Sequence, residues 1–249
     1  MNRRMIVLVP ALLALPAAVH AQGKEGTVLD LELGAAWQDR NEVQSPNDAT
    51  GTRFALDRIT GDGAFFAPRL QWTTGLAPKH ELRLVAAPFR IKESGTLDRA
   101  VNFQGRGFAP GAAEATYRFD SYRATWRYTL RETADWRLKV GVTAKIRDAE
   151  ITLRQGGITS TRSDTGVVPL LHLYGEHRLG ERARVTFEGD GLASGRGRAF
   201  DLSARYVRDF SPRVSGFAGV RMLDGGADNS TVYNFARFHY VTAGLQVRM

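Results

Sequence analysis

Residues 135–157 read DWRLKVGVTAKIRDAEITLRQGG, and their apolar and charged side chains alternate along the chain. Every second residue from Trp136 to Ile146 is apolar, whereas the positions between them include Arg137, Lys139 and Lys145. Successive side chains of a β-strand point to opposite sides, so the alternation predicts a strand with one apolar and one charged face. Two surroundings fit such a strand: an apolar protein core with the charges in water, or lipid outside with the charges inside a barrel.

The same alternation recurs over the whole chain after the first twenty or so residues. Clusters of Gly, Pro, Asn and Asp separate the alternating segments, as expected of turns. The pattern therefore predicts an all-β fold, a single antiparallel transmembrane β-barrel of about ten strands, with 8–12 possible. The predicted strands are Thr27–Arg40, Gly63–Gly75, His80–Lys92, Ala113–Leu130, Trp136–Leu153, Val167–Leu179, Ala183–Asp190, Arg198–Phe210, Val214–Leu223 and Phe235–Met249.

Short and long connectors alternate between these strands. Tight turns are predicted at Leu76–Lys79, Arg131–Asp135, Gly180–Arg182 and Ser211–Arg213. Short turns at one end and long loops at the other are the pattern of outer-membrane barrels, and an even strand count puts both termini at the short-turn end. Longer connectors are predicted at Asn41–Asp62, Glu93–Ala112, Arg154–Gly166, Gly191–Gly197 and Asp224–Asn234. Aromatic residues beside the short turns suit an interfacial girdle: Trp72, Trp126, Tyr128, Trp136 and Phe210.

The first residues, MNRRMIVLVPALLALPAAVHAQG, have the layout of a secretory signal peptide. Two arginines precede an apolar run, and small residues precede Gln22. The run is short and contains Pro10 and Pro16, which argues against a membrane anchor. We expect residues 1–21 to be the signal peptide, cleaved after Ala21, and residues 22–249 to form the barrel domain. An exported chain with no cysteine must be stabilised by packing and hydrogen bonds alone.

The net charge of +8 is spread along the chain, whereas nucleic-acid readers gather basic residues on one element. We therefore expect no nucleic-acid partner. Attraction to anionic lipopolysaccharide and other outer-membrane lipid is the more natural use of the charge. The oligomeric state is not encoded in any recognisable motif.

The final residues, HYVTAGLQVRM, alternate apolar Val241, Ala243, Leu245 and Val247 with polar or small residues. This segment resembles the C-terminal strand of bacterial outer-membrane β-barrel proteins, which the barrel-assembly machinery recognises by alternating apolar residues and a terminal aromatic residue. Met249 occupies the terminal position here. The resemblance implies insertion into the outer membrane of a Gram-negative bacterium by that machinery, and it implies no particular activity. A soluble periplasmic sandwich or lipocalin-like barrel would also alternate, but would explain neither this strand nor the connector lengths.

Candidates for chemistry are few. A turn centred at Gly180–Arg182 would put His172 opposite Asp190 and Tyr174 opposite Glu188. A His–carboxylate pair can orient a general base, but a hydrogen bond that fixes strand register is the simpler interpretation. No serine or second acid accompanies the pair at matched spacing, so no catalytic residue is assigned and enzymatic activity is left open.

Comparison with the known barrel enzymes gives no match at the site level. The strand count is similar to that of the omptin proteases, but their paired acidic residues and Asp–His dyad cannot be placed on this sequence. A lipid A deacylase would have His-x-Ser in a strand, whereas Tyr240 and Val241 follow His239. Asp224, Asp228 and Asn229 do not follow the spacing of a twelve-residue calcium loop. We expect no cofactor and no metal.

The charged parity predicts a lumen lined with both signs of charge, basic residues being in excess. Lys139 is expected to face Arg127, and Arg178 to face Arg184, which would repel unless acids intervene. Three function classes stay open: a structural or surface-binding barrel, which is favoured, a narrow and weakly anion-preferring small-solute pore, and a lipid or peptide hydrolase. The lumen charges on which these interpretations depend are Arg118, Arg127, Arg137, Lys139, Lys145, Glu176 and Glu188.

The apolar parity changes phase at residues 147–148 and, on the preceding strand, between Phe119 and Tyr122. Either facing β-bulges bend the hairpin, or the strands have left the bilayer at this height. We favour the second, because residues 136–153 would extend about 60 Å, whereas a tilted crossing needs about 9–11 residues. The hairpin is therefore predicted to project past the outer surface, with Arg118 facing Asp148.

Overall fold

The chain is built almost entirely of antiparallel β-strands. The computed structural model describes residues 26–249, and the predicted signal peptide lies outside the described residues. Along the chain the elements are β1 (Val28–Gln44), β2 (Phe54–Ala55), α1 (Asp57–Thr60), β3 (Gly63–Ala77), β4 (His80–Ala87), β5 (Arg90–Leu97), β6 (Val101–Phe103), β7 (Arg106–Phe108), β8 (Gly111–Glu132), β9 (Trp136–Gln155), β10 (Ile158–Arg178), β11 (Ala183–Ser194), β12 (Gly197–Asp209), β13 (Val214–Asp228) and β14 (Tyr233–Arg248).

The strands close into one ring. β1 pairs with β3 on one side and with β14 on the other, so that Val28 lies opposite Arg248. β4 and β5 pair with successive parts of β8 and together fill one position in the wall. The wall therefore has ten positions, β1, β3, β4 with β5, and β8 to β14, and every neighbouring pair is antiparallel. The predicted fold class, a closed antiparallel barrel of about ten strands, is confirmed.

The two ends of the barrel differ. The end that holds residues 26 and 249, the first and last described residues, also holds the tight turns after β3, β8, β10 and β12, and we call it the terminal end. The opposite, or loop, end carries β2, α1 and the β6–β7 hairpin. Two predicted loops at this end, Arg154–Gly166 and Gly191–Gly197, are wrong. They are largely strand, and β9 turns into β10 at Gly156 and Gly157, whose positive φ angles of 51° and 84° suit a tight hairpin.

The side chains of the wall are arranged inside out relative to a soluble barrel. Large apolar residues such as Leu33, Phe66 and Val167 point outward and are 61%, 65% and 70% exposed. The charged side chains of Arg83 and Asp190 point inward and are at most 1% exposed. A soluble lipocalin-like barrel would have the reverse arrangement. An apolar outer belt around a charged interior is the arrangement of a barrel in lipid.

At the loop end, β8, β9 and β10 run on beyond the apolar belt. On β8 the outward side chains change from Tyr122 and Trp126 to Glu114 and Arg118, while inward charges give way to buried Tyr117. Yet the β8–β9 register is uninterrupted from residues 114 and 154 to residues 129 and 139, so the facing-bulge interpretation is wrong. The strands keep their faces while the polarity of each face reverses, as expected where a strand passes from lipid into water.

We call this extension the projection: β5, residues 111–120 of β8, residues 147–155 of β9 and residues 158–166 of β10. Its interior is apolar, as in a soluble protein. Phe238 of β14 packs edge-on against Phe89 at 5.1 Å between ring centroids and lies 5.7 Å from Tyr117. The β6–β7 hairpin covers this core, and Ser160 Oγ donates a hydrogen bond of 3.0 Å to the carbonyl oxygen of Phe103. Other buried members are Leu56, Ile59, Ile91, Leu97, Val101, Phe108, Ile151 and Leu153.

Arg118 lies on the outer face of the projection, so its predicted place in the lumen is wrong. Its Cα is opposite Glu150, and Asp120 is opposite Asp148, because the β8–β9 pairing is displaced by two residues from the predicted register. The side chains of Arg118 and Asp148 nevertheless meet, with Nη1 to Oδ2 at 2.5 Å, and Arg118 also donates to Asp120 at 3.1 Å. The Arg118 guanidinium lowers the pKa of the Asp148 carboxyl, mainly through this hydrogen bond.

Within residues 26–249, no helix has the length and apolar character needed to cross a membrane.

The change of surroundings along β9 can be measured with spin labels. Ile146 and Arg154 both point outward and are eight residues, or about 26 Å, apart. The chain has no cysteine, so Ile146→Cys and Arg154→Cys each give one labelling site. In lipid vesicles we expect the label at 146 to collide mainly with dissolved oxygen and the label at 154 mainly with a water-soluble nickel chelate. Equal lipid contact at both positions would contradict the projection.

Candidate functional site

The middle of the barrel is filled by inward charged side chains that pair across the bore. The wall strands supply them from alternate positions, and every wall position except β14 contributes at least one. We call this set the lumen network. It comprises Asp30, Glu32, Arg69, Glu81, Arg83, Arg123, Arg127, Lys139, His172, Glu188, Asp190, Asp201, Arg205 and Arg221, whose side chains are at most 8% exposed.

Two carboxylates hold the centre of the lumen network. Asp201 accepts two hydrogen bonds of 2.6 Å from Arg221 and a further one from Arg123. Asp190 accepts from Arg123 at 2.7 Å and from Arg83 at 3.4 Å. Arg123 therefore joins two carboxylates that come from separate strands on the far side of the bore. Because these are charge-assisted bonds between buried groups, the side chains are held across the lumen rather than along its wall.

Below this centre, toward the terminal end, Glu81 resolves the predicted repulsion between Lys139 and Arg127. Its carboxylate accepts a hydrogen bond from each of them. The two basic residues do not face one another: Arg127 lies opposite Gly141, and Lys139 opposite Thr129. Glu81 is two residues from Arg83, so its inward direction could be predicted. Its contact with Lys139 could not be predicted, because β4 and β9 are not neighbours in the wall and the sequence does not align them.

Gly141 leaves room for Arg127. A Cβ at position 141 would lie 2.2 Å from the carbonyl oxygen of Trp126 and 3.0 Å from the Cβ of Arg127. A side chain there would collide with the backbone of the neighbouring strand. The glycine thus allows the long Arg127 side chain to turn into the bore and reach Glu81.

His172 and Asp190 lie opposite one another, in the register expected from a turn at residues 180–182. His172 Nδ1 and Asp190 Oδ1 are 2.9 Å apart. Both side chains are buried, and Asp190 is also bound by Arg83 and Arg123. A buried carboxylate with these partners has the geometry of a cross-strand hydrogen bond that fixes the register of β10 and β11.

Of the remaining predicted lumen residues, Arg137 and Glu176 lie nearer the terminal end, whereas Lys145 lies toward the loop end. Arg137 is at the rim, where it donates to Glu132. Glu176 accepts a 2.9 Å hydrogen bond from the hydroxyl of Tyr174 and lies 3.6 Å from Nε of Arg184. These groups line a polar cavity of about 580 Å³, which we call the vestibule.

A second cavity, of about 280 Å³, lies at the loop end between the projection and strands β11 to β14. We call it the outer cleft. Lys145 reaches it from below, and Val168, Leu192 and Leu223 contribute apolar surface. The outer cleft and the vestibule share no lining residue. Part of the lumen network, including Glu81 and Arg127, lines the vestibule, whereas the centre of the network around Asp190 and Asp201 lines neither cavity.

Asp224, one of the residues considered for calcium, is held by arginines. It accepts hydrogen bonds from Arg198 Nε at 3.0 Å and from Arg237 Nη2 at 2.8 Å. Over residues 26–249 the structure brings together no group of three or more His, Asp or Glu side chains suited to a metal ion.

Removal of the Asp201 carboxylate tests the lumen network. Asp201→Asn leaves Arg123 and Arg221 without their shared counter-charge, and loss of one partner of a buried ion pair costs about 3–5 kcal/mol. We expect a loss of unfolding free energy of that order, measured by urea titration in lipid vesicles. The matched control is Asp39→Asn, because Asp39 is half exposed and makes only surface contacts. Equal stability of the two variants would contradict the network.

The close approach at Gly141 gives a second test. Gly141→Ala forces a methyl group against the Trp126 carbonyl, and overpacking of this kind costs about 1–3 kcal/mol. We expect a lower midpoint temperature for the loss of the folded band on unheated SDS gels. Gly107→Ala is the control, because no atom lies within 4 Å of the added methyl group, and its midpoint should match that of the parent chain.

Comparison with solved structures gives bacterial outer-membrane proteins. The outer membrane protease OmpT from Escherichia coli aligns over 94% of this chain and 99% of its own, with a TM-score of 0.60 and 9% identity. OprG from Pseudomonas aeruginosa aligns over 92% and 98%, with a TM-score of 0.41 and 13% identity. The neisserial surface protein NspA aligns over 90% and 97%, with a TM-score of 0.39 and 13% identity.

No protein-family model matches the sequence, and no curated protein matches it. At 9% identity the likeness to OmpT concerns the fold and carries no information on activity. The ten-position wall, its apolar belt and this likeness agree with one another. The chain has the fold of a bacterial outer-membrane β-barrel protein.

Proposed function

We propose that this chain is an outer-membrane barrel with a closed lumen, which acts at the cell surface by binding through its projection. The observation that carries the proposal is the centre of the lumen network, where Arg123, Asp190 and Asp201 pair across the bore and line neither the vestibule nor the outer cleft. In this proposal residues 1–21 direct export and are cleaved, the barrel-assembly machinery inserts the mature chain, and outer-membrane lipid and lipopolysaccharide surround it.

The closed lumen follows from the size of the bore. A ten-stranded barrel is only slightly wider than an eight-stranded barrel, and side chains can fill the whole interior of an eight-stranded barrel. Arginine side chains are long enough to reach across such a bore, as Arg123 does between Asp190 and Asp201. A hydrated path through the middle would separate these pairs, which is costly for buried charges.

The projection supplies what a binding surface needs. Its apolar core, which includes Phe89, Tyr117 and Phe238, holds it as a folded unit above the belt. Binding residues are commonly carried by loops on such a rigid scaffold. The outer face of the projection carries paired charges, as between Arg118 and Asp148, and is therefore suited to contact with water.

The second candidate is a narrow pore that weakly prefers anions. It is favoured by the excess of basic over acidic side chains in the lumen, with Arg69 and Arg221 both near Asp201. Hydrolysis of lipid or peptide has less support. The His172–Asp190 pair is buried, and the exposed His239–Asp39 pair, 3.1 Å apart, is on the outward face of the wall.

Conductance in planar bilayers separates binding barrel from pore. We expect the purified protein to give no large porin-like steps and any small current to prefer anions. A double variant, Arg123→Ser with Arg221→Ser, removes side chains that span the bore and should increase the leak. Arg154→Ser, which alters an exposed side chain of the projection, should leave it unchanged. Large, stable, cation-selective steps in the parent protein would overturn the proposal.

A further inference from the structure

The outer cleft is a cavity with an opening in the barrel wall. β10 pairs with β11 only from Leu171 down to Arg178, whereas its pairing with β9 continues up to Ile158. Residues 158–170 therefore form an edge without a strand partner on the β11 side. The cleft lies beside this edge, and strands β11 to β14 form its opposite wall.

A lysine without an ion-pair partner among the described residues reaches the cleft. The Asp201 carboxylate attracts it electrostatically, but that carboxylate is bound by Arg123 and Arg221. Lys145 is 3% exposed, and within residues 26–249 the structure gives it neither a hydrogen bond nor an ion pair. Its Nζ lies 4.9 Å from the centroid of the Phe119 ring. The residue opposite it on β8 is Arg123, another cation. A buried ammonium in this position lacks the partner that buried charges usually have.

Two arginines add to the positive character of the cleft. Arg147 is bound to Asp164 through Nη2, and Arg162 donates to Thr231 at 3.2 Å, but the Nε atoms of both are buried without a partner. The acids that line the cleft do not neutralise Lys145. Asp164 is engaged by Arg147, and Asp224 by Arg198 and Arg237. Glu150 is turned toward Arg118, 3.9 Å away on the outer face.

The remaining surface of the cleft is apolar. Val168 comes from β10, Leu192 from β11 and Leu223 from β13, with Ile151 on the side of the projection. A site with cations in one part and aliphatic side chains in another suits an amphipathic molecule, with an anionic group at one end and an apolar body at the other. Its volume of about 280 Å³ is close to the lower limit of roughly 300 Å³ for ligand pockets, so the molecule is small.

We propose that the outer cleft binds a small amphipathic monocarboxylate, with the carboxylate at Lys145 and the apolar body along Val168, Leu192 and Leu223. The carboxylate supplies an ion-pair partner for Lys145, and Arg147 and Arg162, which also line the cleft, add to its attraction for an anion. This inference deepens the proposed surface-binding function, because it names the class of ligand, and it rests on the cleft being reached from the outer side.

Octanoate is a suitable probe, titrated calorimetrically into the full mature chain in lipid nanodiscs, with empty nanodiscs subtracted. We expect saturable binding of one octanoate per chain. Lys145→Met keeps the length of the side chain and removes the charge. It should weaken binding roughly 10- to 100-fold, the range for loss of one charge-assisted hydrogen bond. The matched control is Lys92→Met, since Lys92 is an exposed lysine of the projection paired with Glu114.

Three further probes test each part of the ligand. Acetate lacks the apolar body, octanol lacks the charge, and octyltrimethylammonium has the opposite charge, so each should bind at least about tenfold more weakly than octanoate. Leu192→Trp narrows the cleft without touching the lysine and should weaken octanoate binding as well. It keeps the inference testable if Lys145→Met fails to fold, which heat-dependent migration on SDS gels reports.

Unchanged octanoate binding by Lys145→Met, or equal binding of octanol or acetate, would overturn the inference. The outcome is separable from that of the conductance measurement. Binding that depends on Lys145 in a protein with large conductance would retain the site and remove the closed lumen. A non-conducting barrel that binds no octanoate would retain the proposed function and remove the ligand class.

Discussion

A charge that points into a narrow, poorly hydrated bore has to be neutralised by a charge from another strand, and most of this structure follows from that requirement. Arg123 of β8 is satisfied only because Asp190 of β11 and Asp201 of β12 face it across the lumen. Such pairs fix the rotation of each strand about its own axis. Once the charged faces are turned inward, the alternating apolar side chains must point to lipid. The belt and the network are two consequences of one alternation.

Much of the wall could be predicted from that alternation, because its period of two reports the strand and its faces together. The register of β10 and β11 was also predictable, since their tight turn has no irregularity, and His172 lies opposite Asp190 as expected. Register was harder to predict for β8 and β9. A shift between Thr129 and Arg131 and a turn centred one residue later displace every pairing above them. A displacement of the register by two residues leaves each side chain on the predicted face of the sheet but gives it a different partner on the neighbouring strand.

Other features could not be predicted because alternation reports polarity and not geometry. Arg118 points to the outer face of β8. In this part of β8 the polar side chains are on the outer face instead of the inner face, so the sequence pattern assigned Arg118 to the lumen. The tips of β9 and β10 were interpreted as a loop because residues 159–166 have no large apolar side chain on either face, so no alternation is visible there. The outer cleft depends on side chains far apart in sequence, such as Lys145 and Leu223, whose proximity no local pattern encodes.

The pairing of β1 with β14 has a consequence for the order of events during assembly. Asp30 and Glu32 on β1 receive Arg205 from β12, a residue more than 170 positions later in the chain. Until β14 has paired with β1, neither acid is held opposite that arginine, and a partly zipped sheet carries unmatched charges on its concave side. These charges are neutralised only at the last step, so closure of the ring and neutralisation of the bore become a single cooperative event. A sheet with such non-local contacts gains little from partial order, which makes incomplete barrels short-lived rather than stable by-products.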